Sequence, residues 1–257
     1  DVVCCTLLTS AKKTMMNYAF HSIFIDEASQ ASEITSIIPL IHHPSKLVLI
    51  GDHKQLGVYN EKSIKEKHPK TTRSLFLNLI NKGVKSVFLN IQFRMNPKIV
   101  EFPNHEFYND MIHNYKNVQK ETEINLQNVP TPIAFIDVGY GYETLRSKDK
   151  TFVNKDEVRV VERIVNNLKI NGIKGSEVGV ITPYFGQTQV IRYTCKHLNY
   201  TDLKISSIDN FQGSERDFII FSLVRTSNDG KFGFISIKER LNVALTRARK
   251  GLIIVGN

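Results

Sequence analysis

The sequence has few cysteines and no long apolar stretch. Its three cysteines are Cys4 and Cys5, adjacent in an apolar run, and Cys195, which gives neither a zinc-binding spacing nor a disulfide framework. We therefore expect Cys4 and Cys5 to be core thiols and the protein to act in a reducing compartment, the cytoplasm, with the nucleus as the alternative. No stretch approaches the ~20 apolar residues of a membrane span, and we recognise no signal peptide, so we expect no membrane partner.

The charge is positive but dispersed. The formal net charge is +9 and the isoelectric point is about 9.4, values that favour a polyanionic partner such as nucleic acid. Lys and Arg never form a run of five, so no basic tail is indicated. At 257 residues the chain can form two modest domains. Because it opens at Asp1 almost directly in a strand-like run, we expect it to be part of a longer protein.

Short apolar runs alternate with amphipathic stretches, which indicates a parallel sheet with crossover helices. One helix is predicted from the capping box of Asn154 and Glu157 to Gly172, and a second from the capping box at Ser236 to Gly251. The predicted strands lie near residues 2–6, 22–26, 47–50, 87–89, 133–138, 178–182, 205–208, 218–223 and 252–255.

Two of these strands run directly into polar residues. Asp26 and Glu27 follow the first, and the carboxyl ends of parallel strands face the ligand side of an open α/β sheet. One acid can hold Mg²⁺ and the other can polarise an attacking water, although such a pair alone is more often a helix cap. After the strand at 47–50, Gly51 permits a tight turn and the amide of Gln55 can reach a terminal phosphate or its water.

Three further segments have residues suited to a nucleotide. In residues 92–97, Phe93 can stack on a base while Arg94 pairs with phosphate, the alternative being a surface ion pair. In residues 206–216, Gly213 allows close backbone approach and Glu215 can accept from a ribose hydroxyl.

The fifth segment is residues 240–249. Its helical spacing places Arg240, Ala244 and Arg247 on one face, which presents a basic surface beside a buried one. A basic helix face is more often solvated than catalytic. Each of the five segments is a weak signal by itself, but their order along the chain is specific.

Taken in that order, the five segments resemble superfamily 1 helicases, most closely the up-frameshift type, the regulators of nonsense transcripts. Residues 26–30 resemble the Walker B motif, 51–56 motif III, 92–97 the start of the second RecA-like lobe, 211–215 motif V and 240–249 motif VI. The segment 2–6 also resembles a nucleic-acid-contacting motif. The similarity covers essentially the whole chain.

The resemblance implies an α/β fold of tandem RecA-like parallel-sheet lobes of the P-loop NTPase type. Residues 1–86 would be the C-terminal part of an incomplete first lobe and residues 87–257 the second lobe, with ATP between them. No Gly-x-x-x-x-Gly-Lys-Ser/Thr pattern occurs in these residues, so the resemblance predicts the phosphate-binding loop N-terminal to Asp1. We therefore expect the 257-residue span alone to be inactive.

The resemblance also implies residue roles. Asp26 would hold magnesium, and Glu27 would orient the attacking water. The terminal phosphate would be touched by Gln55, Arg94 and Arg247. The nucleoside part of ATP would lie near Phe93, which stands where the family commonly has Tyr, and near Gly213 and Glu215. Single-stranded nucleic acid would run along Thr6, Thr182 and Ser207.

The resulting expectation is an ATP-dependent RNA helicase that uses ATP and magnesium, binds single-stranded RNA as a monomer and translocates 5′ to 3′. Its protein partners are unknown. Two alternatives remain open. One is a DNA helicase of the same superfamily. The other is a non-catalytic nucleic-acid-binding remnant, against which the joint presence of Glu27, Arg94 and Arg247 argues.

Overall fold

The computed structural model describes residues 1–58, 73–116, 118, 124–126, 129–226 and 233–257. The chain divides into two compact units, unit 1 (Asp1–Phe88) and unit 2 (Leu89–Asn257). This division lies two residues from the predicted boundary after residue 86. That the two units correspond to two RecA-like lobes stays a prediction.

Unit 1 contains a two-stranded parallel sheet, β1 (Ser22–Ile25) paired with β2 (Lys46–Leu49) in the register Ser22↔Lys46 to Ile25↔Leu49. Its helices are α1 (Glu33–Ile37) and α2 (Leu75–Asn81), with 3₁₀ helices at Thr9–Ala11 and Ile38–His42. Ser hydroxyls that accept amide hydrogens cap both α-helices, as local propensity favours.

The predicted strand at residues 2–6 is wrong, because these residues form no strand in the described part of unit 1. The thiols of Cys4 and Cys5 are exposed, so the prediction of core thiols is wrong as well. An apolar run becomes a buried strand only where neighbouring strands pair with it, and β1 pairs with β2 alone among the described strands.

Unit 2 is built on a five-stranded parallel sheet in the order β11-β10-β12-β13-β7, which confirms the predicted α/β class. These strands are β7 (Ile133–Asp137), β10 (Val178–Thr182), β11 (Lys204–Ser207), β12 (Arg216–Ser222) and β13 (Ala248–Gly256). Two-stranded pairs form from β3 (Ile91–Gln92) with β4 (His113–Asn114), β5 (Ile124–Leu126) with β6 (Val129–Thr131), and β8 (Thr144–Arg146) with β9 (Thr151–Val153).

The helices of unit 2 are α3 (Pro97–Tyr108), α4 (Lys155–Ile170), α5 (Phe185–Cys195), α6 (Ile208–Phe211) and α7 (Lys238–Leu245). Short 3₁₀ helices lie at Gly175–Glu177, Lys196–Leu198 and Gly233–Ser236. The predicted first helix is confirmed as α4. Its cap is the side-chain oxygen of Asn154, and Gly172 beyond its end has a φ of +80°. Among the described residues, no helix is both long and apolar enough to cross a bilayer.

The second predicted helix is too long. It ends at Leu245, and the residues from Ala248 onward form β13 instead. Leu252 pairs with strands on both sides of β13. The hydrogen bonds of an internal strand therefore stabilise the extended conformation after Ala248, although the spacing of Arg240 and Arg247 predicts a longer helix. The hydroxyl of Ser236 donates to the carbonyl of Gly233 at 2.6 Å and does not cap α7. The predicted strand at 87–89 is likewise wrong, since pairing begins at Ile91.

Candidate functional site

The turn after β1 carries the two predicted acids. Asp26 and Glu27 are both exposed, and Glu27 adopts a left-handed backbone with a φ of +51°. The Glu27 N–H donates to Asp26 Oδ1 at 3.0 Å, and the Gln30 side-chain amide donates to Glu27 Oε2 at 3.0 Å. A non-glycine residue in this region of φ is uncommon, so these hydrogen bonds stabilise an unfavourable turn in which both acids are exposed.

The turn after β2 packs directly beside the turn after β1. A side chain at Gly51 would come 2.9 Å from the backbone nitrogen of Ser29, which explains the glycine. The Ala28 N–H donates to the Ile50 carbonyl at 2.8 Å, so the two turns are joined by backbone as well. The Gln55 side-chain amide donates to Asp52 Oδ2 at 2.9 Å and is held inside its own turn.

The acids of unit 1 suit a magnesium site in which the protein supplies one or two carboxylates and other ligands complete the coordination. The described residues contain no group of three or more His, Cys, Asp or Glu that would hold a metal ion by themselves. Mg²⁺ is commonly bound through one or two carboxylates, with water and substrate phosphate oxygens completing the octahedron. The exposed carboxylate of Asp26 at the strand end fits that arrangement, and an all-protein metal cage does not fit.

In unit 2 the structure brings Arg94 and Glu215 together as a direct ion pair. Arg94 Nη1 also donates to the carbonyl of Thr246 at 3.3 Å. Arg249 joins the same cluster, with Nη1 3.7 Å from Glu215 and Nε 2.7 Å from Asp217. Segments that are far apart in sequence therefore meet in one partly exposed group of arginines and acids, which we call the Arg94 cluster (Arg94, Glu215, Asp217 and Arg249).

The predicted basic helix face is wrong. Arg240 pairs with Asp209 at 3.1 Å, and Arg247 lies beyond the end of α7. Arg247 is buried, with Nε donating to the carbonyl of Val243 at 3.0 Å. The carbonyl of Thr246 also binds Arg94, so Arg247 adjoins the Arg94 cluster through the backbone. Its contact with a terminal phosphate stays a prediction.

Phe93 is exposed and has an aromatic neighbour that the sequence did not reveal. Its ring centroid lies 4.7 Å from that of Tyr115, and the two planes are inclined by 37°. The pairing of Gln92 with Asn114 places the two rings side by side. Tyr115 lies in a polar stretch without periodicity, so no sequence pattern indicated this ring contact.

Gly213 has a φ of +72°, and an added Cβ would meet nothing within 4 Å, so the backbone conformation alone explains this glycine.

Two of the predicted nucleic-acid residues lie together in unit 2. Thr182 and Ser207 are register partners at the carboxyl ends of β10 and β11. Thr182 is fully buried, whereas Ser207 is partly exposed and accepts from the Asn210 N–H. In unit 1, Thr6 is exposed and its hydroxyl donates to Thr9 Oγ1 at 2.9 Å. Contact of all three with nucleic acid stays a prediction.

Comparison with known families matches almost the whole chain. Residues 71–257 match one model described as an AAA domain, and residues 1–57 match a second model with the same description. The junction between the two matches falls before the division between the structural units.

Comparison with curated proteins gives relatives over the full length of the chain. It is 36% identical to the regulator of nonsense transcripts 1 homolog of Arabidopsis thaliana, covering 100% of this chain and 21% of that protein. It is 37% identical to the ATP-dependent helicase NAM7 of Saccharomyces cerevisiae, covering 100% of the chain and 27% of the relative. Identity to the DNA polymerase alpha-associated DNA helicase A of the same yeast is 35%, over 93% of the chain and 38% of that protein. The chain thus spans between about a fifth and two fifths of these relatives.

Proposed function

The chain belongs to the AAA domain family, among the superfamily 1 helicases of the up-frameshift type. From this premise we propose that it is part of an ATP-dependent RNA helicase. In this proposal ATP hydrolysis is stimulated by single-stranded RNA and coupled to 5′-to-3′ translocation and unwinding. We also propose that the protein works as a monomer in the cytoplasm, with the nucleus as the alternative.

The observation that carries the proposal is the packing of the two turns that follow β1 and β2. Asp26 would be the protein ligand of magnesium, which when bound neutralises charge on the ATP phosphates. The carboxylate of Glu27, oriented by the Gln30 amide, would accept a hydrogen bond from the attacking water. Gln55, in the neighbouring turn, would hold the terminal phosphate or that water through its amide.

The positively charged residues of the proposal lie in unit 2. Arg94 is 38% exposed and already ion-paired, so binding a phosphate oxygen requires it to change partner. We propose that the terminal phosphate replaces Glu215 at Arg94, and that this frees Glu215 to accept from a ribose hydroxyl. Arg247 is fixed by Val243 and would stabilise the same phosphate charge, while the exposed ring of Phe93 would stack on the base.

A second candidate is a DNA helicase of the same superfamily. The chain is 35% identical to a yeast protein named as a DNA helicase and 36% identical to a regulator of nonsense transcripts 1 homolog. These two identities are too similar to distinguish RNA from DNA as the substrate. The net charge of +9 suits both, because phosphate contacts carry no base or sugar information. A non-catalytic nucleic-acid-binding protein is the third candidate, and it predicts no hydrolysis at all.

The experiment that separates the candidates uses RNA and DNA strands of matched sequence. ATP hydrolysis and duplex unwinding are measured in the longer protein that contains these residues together with a phosphate-binding loop. An RNA helicase shows greater stimulation and unwinding with RNA. Equal or greater activity with DNA favours the second candidate, and strand binding without hydrolysis favours the third.

A further inference from the structure

Glu157, in the first turn of α4, is a fully buried acid. Its predicted capping-box contact is not formed, because the Asn154 N–H donates to Gln187. Its two carboxyl oxygens accept from the backbone N–H of Val224 at 2.9 and 3.0 Å. The hydroxyl of Ser222 donates to Glu157 Oε2 at 2.6 Å. Glu157 therefore connects α4 by hydrogen bonds to Ser222, the last residue of β12, and to Val224 in the segment that follows β12.

Buried amides complete the network around Glu157. The Gln187 side chain, from α5, donates to Ser222 Oγ at 3.0 Å and accepts from the Asn154 N–H at 3.0 Å. Asn154, Gln187 and Ser222 have no exposed surface. Because a buried polar group without a partner is costly, such a network admits few alternative arrangements and fixes α4, α5 and β12 to one another.

The segment after β12, which we call the β12 exit (residues 224–226), has an unusual backbone. Val224 has a φ of +73°, in the left-handed region that a β-branched residue adopts rarely. Such a conformation persists where the surroundings impose it, and the hydrogen bonds to Glu157 do so here. A second acid holds the next two residues, since Glu143 Oε2 accepts from Arg225 Nε at 2.6 Å and from the Thr226 N–H at 2.9 Å.

The β12 exit leaves the sheet at the edge where the predicted nucleic-acid residues lie. Phe221 of β12 pairs with Ile181 of β10, one residue before Thr182, and Thr182 pairs with Ser207 of β11. The carboxyl ends of β11, β10 and β12 are therefore consecutive along one edge. Arg225 is the basic residue of the exit and is ion-paired with Glu143, so a phosphate that binds it must replace Glu143 as its partner.

We propose that Glu157 is a positioning residue that holds the β12 exit in the conformation in which this edge binds nucleic acid. The proposal rests on the proposed function, because it requires that the edge bind single strands. Glu157 itself touches no nucleic acid, since it is buried. It acts through Val224, whose strained backbone sets the direction of Arg225 and Thr226.

The protonation of Glu157 gives this role a measurable signature. Burial raises the pKa of the Glu157 carboxyl from 4.5 to about 7. Of the charged groups beside it, Asp156 pairs with Arg159 on α4 and Arg225 pairs with Glu143 at the β12 exit, and α5 presents the neutral Gln187. Burial in the closed exit favours the neutral acid more strongly than the hydrogen bonds from Ser222 and Val224 favour the carboxylate, so ionisation as pH rises through 7 favours opening of the exit.

The first test is amide hydrogen exchange by NMR in the 257-residue chain. Opening of the β12 exit is read from the protection of the Val224 amide, corrected for the intrinsic exchange rate. We expect wild-type protection to fall about tenfold between pH 6 and pH 8. Glu157→Gln keeps a neutral side chain and should show no such fall, and the control Glu162→Gln, on the same helix, should behave as wild type. A wild-type profile in Glu157→Gln would overturn the proposal.

The second test is binding of fluorescently labelled oligouridine by the same proteins. Glu157→Ala removes the acceptor of the Val224 N–H and should weaken binding about tenfold, while Glu162→Gln binds as wild type. If wild type does not bind, both the proposed function and this inference fail. If wild type binds and a folded Glu157→Ala, shown by an unchanged melting temperature, binds equally well, the inference alone fails. Should Glu157→Ala not fold, the exchange profile of Glu157→Gln decides.

Discussion

Unit 1 and unit 2 differ in how much core supports their candidate residues. Among the described residues of unit 1, the buried apolar side chains are Ile25, Ala28 and Pro39, and the sheet has two strands of four residues. Phe24 and Val48 pair on one face of that sheet, and both are exposed. Unit 2 packs α4 and α5 on a five-stranded sheet whose central strands are almost completely buried.

The comparison teaches that the two units position charge by different means. In unit 1, Glu27 and Gln55 are held by hydrogen bonds within their own turns. In unit 2, Arg94 is held by contacts with the distant residues Glu215 and Thr246, which a large core keeps in place, and Arg247 by the carbonyl of Val243 near the end of α7. We therefore expect unit 1 to depend more on its surroundings for stability than unit 2 does.

The largest effect is expected at Arg94. In a longer protein that carries these residues together with a phosphate-binding loop, Arg94→Ala should slow ATP hydrolysis roughly a thousandfold, the scale of an arginine that stabilises phosphoryl-transfer charge. RNA affinity should change little, and the exposed Arg159 provides the control variant Arg159→Ala. A large loss of RNA affinity with an unchanged rate of hydrolysis would contradict this role, because Arg94 would then belong to the nucleic-acid surface.

Core substitutions sharpen the comparison of stability. Ile220 is fully buried in β12. Ile220→Ala should lower the unfolding free energy by about 2–5 kcal/mol, because the smaller side chain leaves a cavity. Phe24→Ala, on the exposed face of unit 1, should cost about 0.5 kcal/mol or less. Urea unfolding of the 257-residue chain measures both. A cost for Phe24→Ala as large as for Ile220→Ala would mean that the exposed face of unit 1 is covered in solution.

Glu27→Gln tests the turn-held acid of unit 1. The amide keeps the shape of the side chain but cannot act as a base, so hydrolysis should fall on the order of a hundredfold or more. ATP affinity should be preserved, because the other binding residues are unchanged. Nucleotide affinity and steady-state turnover are measured together, with Glu101→Gln in unit 2 as the control. Turnover within a few-fold of wild type removes Glu27 from the mechanism.

A more moderate effect is predicted for the pH dependence of stability within unit 2. The pKa of Glu157 is raised to about 7 by burial, so its stabilising contribution is complete below about 4.5 and is lost as pH rises through 7. Relative to Glu157→Gln, the wild-type unfolding free energy should therefore decrease by about 1.4 kcal/mol between pH 6 and pH 8. Parallel urea titrations at several pH values check this, and a constant difference contradicts it.

The sequence predicts strands and motif positions more reliably than side-chain partners. The apolar runs of β1, β10 and β12 identify strands because buried parallel strands have little alternation. The turns after β1 and β2 follow from their acids and Gly51. In contrast, the spacing of Arg240 and Arg247 fitted a helix face, and only the pairing of β13 with both neighbours decides against it.

Other features depend on contacts that no local pattern encodes. Arg94 and Glu215 are far apart in sequence, so their ion pair follows only from the fold. The sequence pattern predicts Glu157 as a capping residue, and no neighbouring residue along the chain indicates that the fold buries it against Val224. Thr182 ends a strand as predicted, but its complete burial reflects packing from both sides of the sheet.

The measurement that tests the account most directly is RNA-stimulated ATP hydrolysis by two proteins. One is the 257-residue chain, which has no Gly-x-x-x-x-Gly-Lys-Ser/Thr pattern, and the other carries these residues together with a phosphate-binding loop. We predict hydrolysis by the longer protein alone, stimulated by RNA and abolished by Glu27→Gln. Clear turnover by the 257-residue chain that Glu27→Gln removes, or a longer protein that binds RNA and hydrolyses no ATP, would contradict the account.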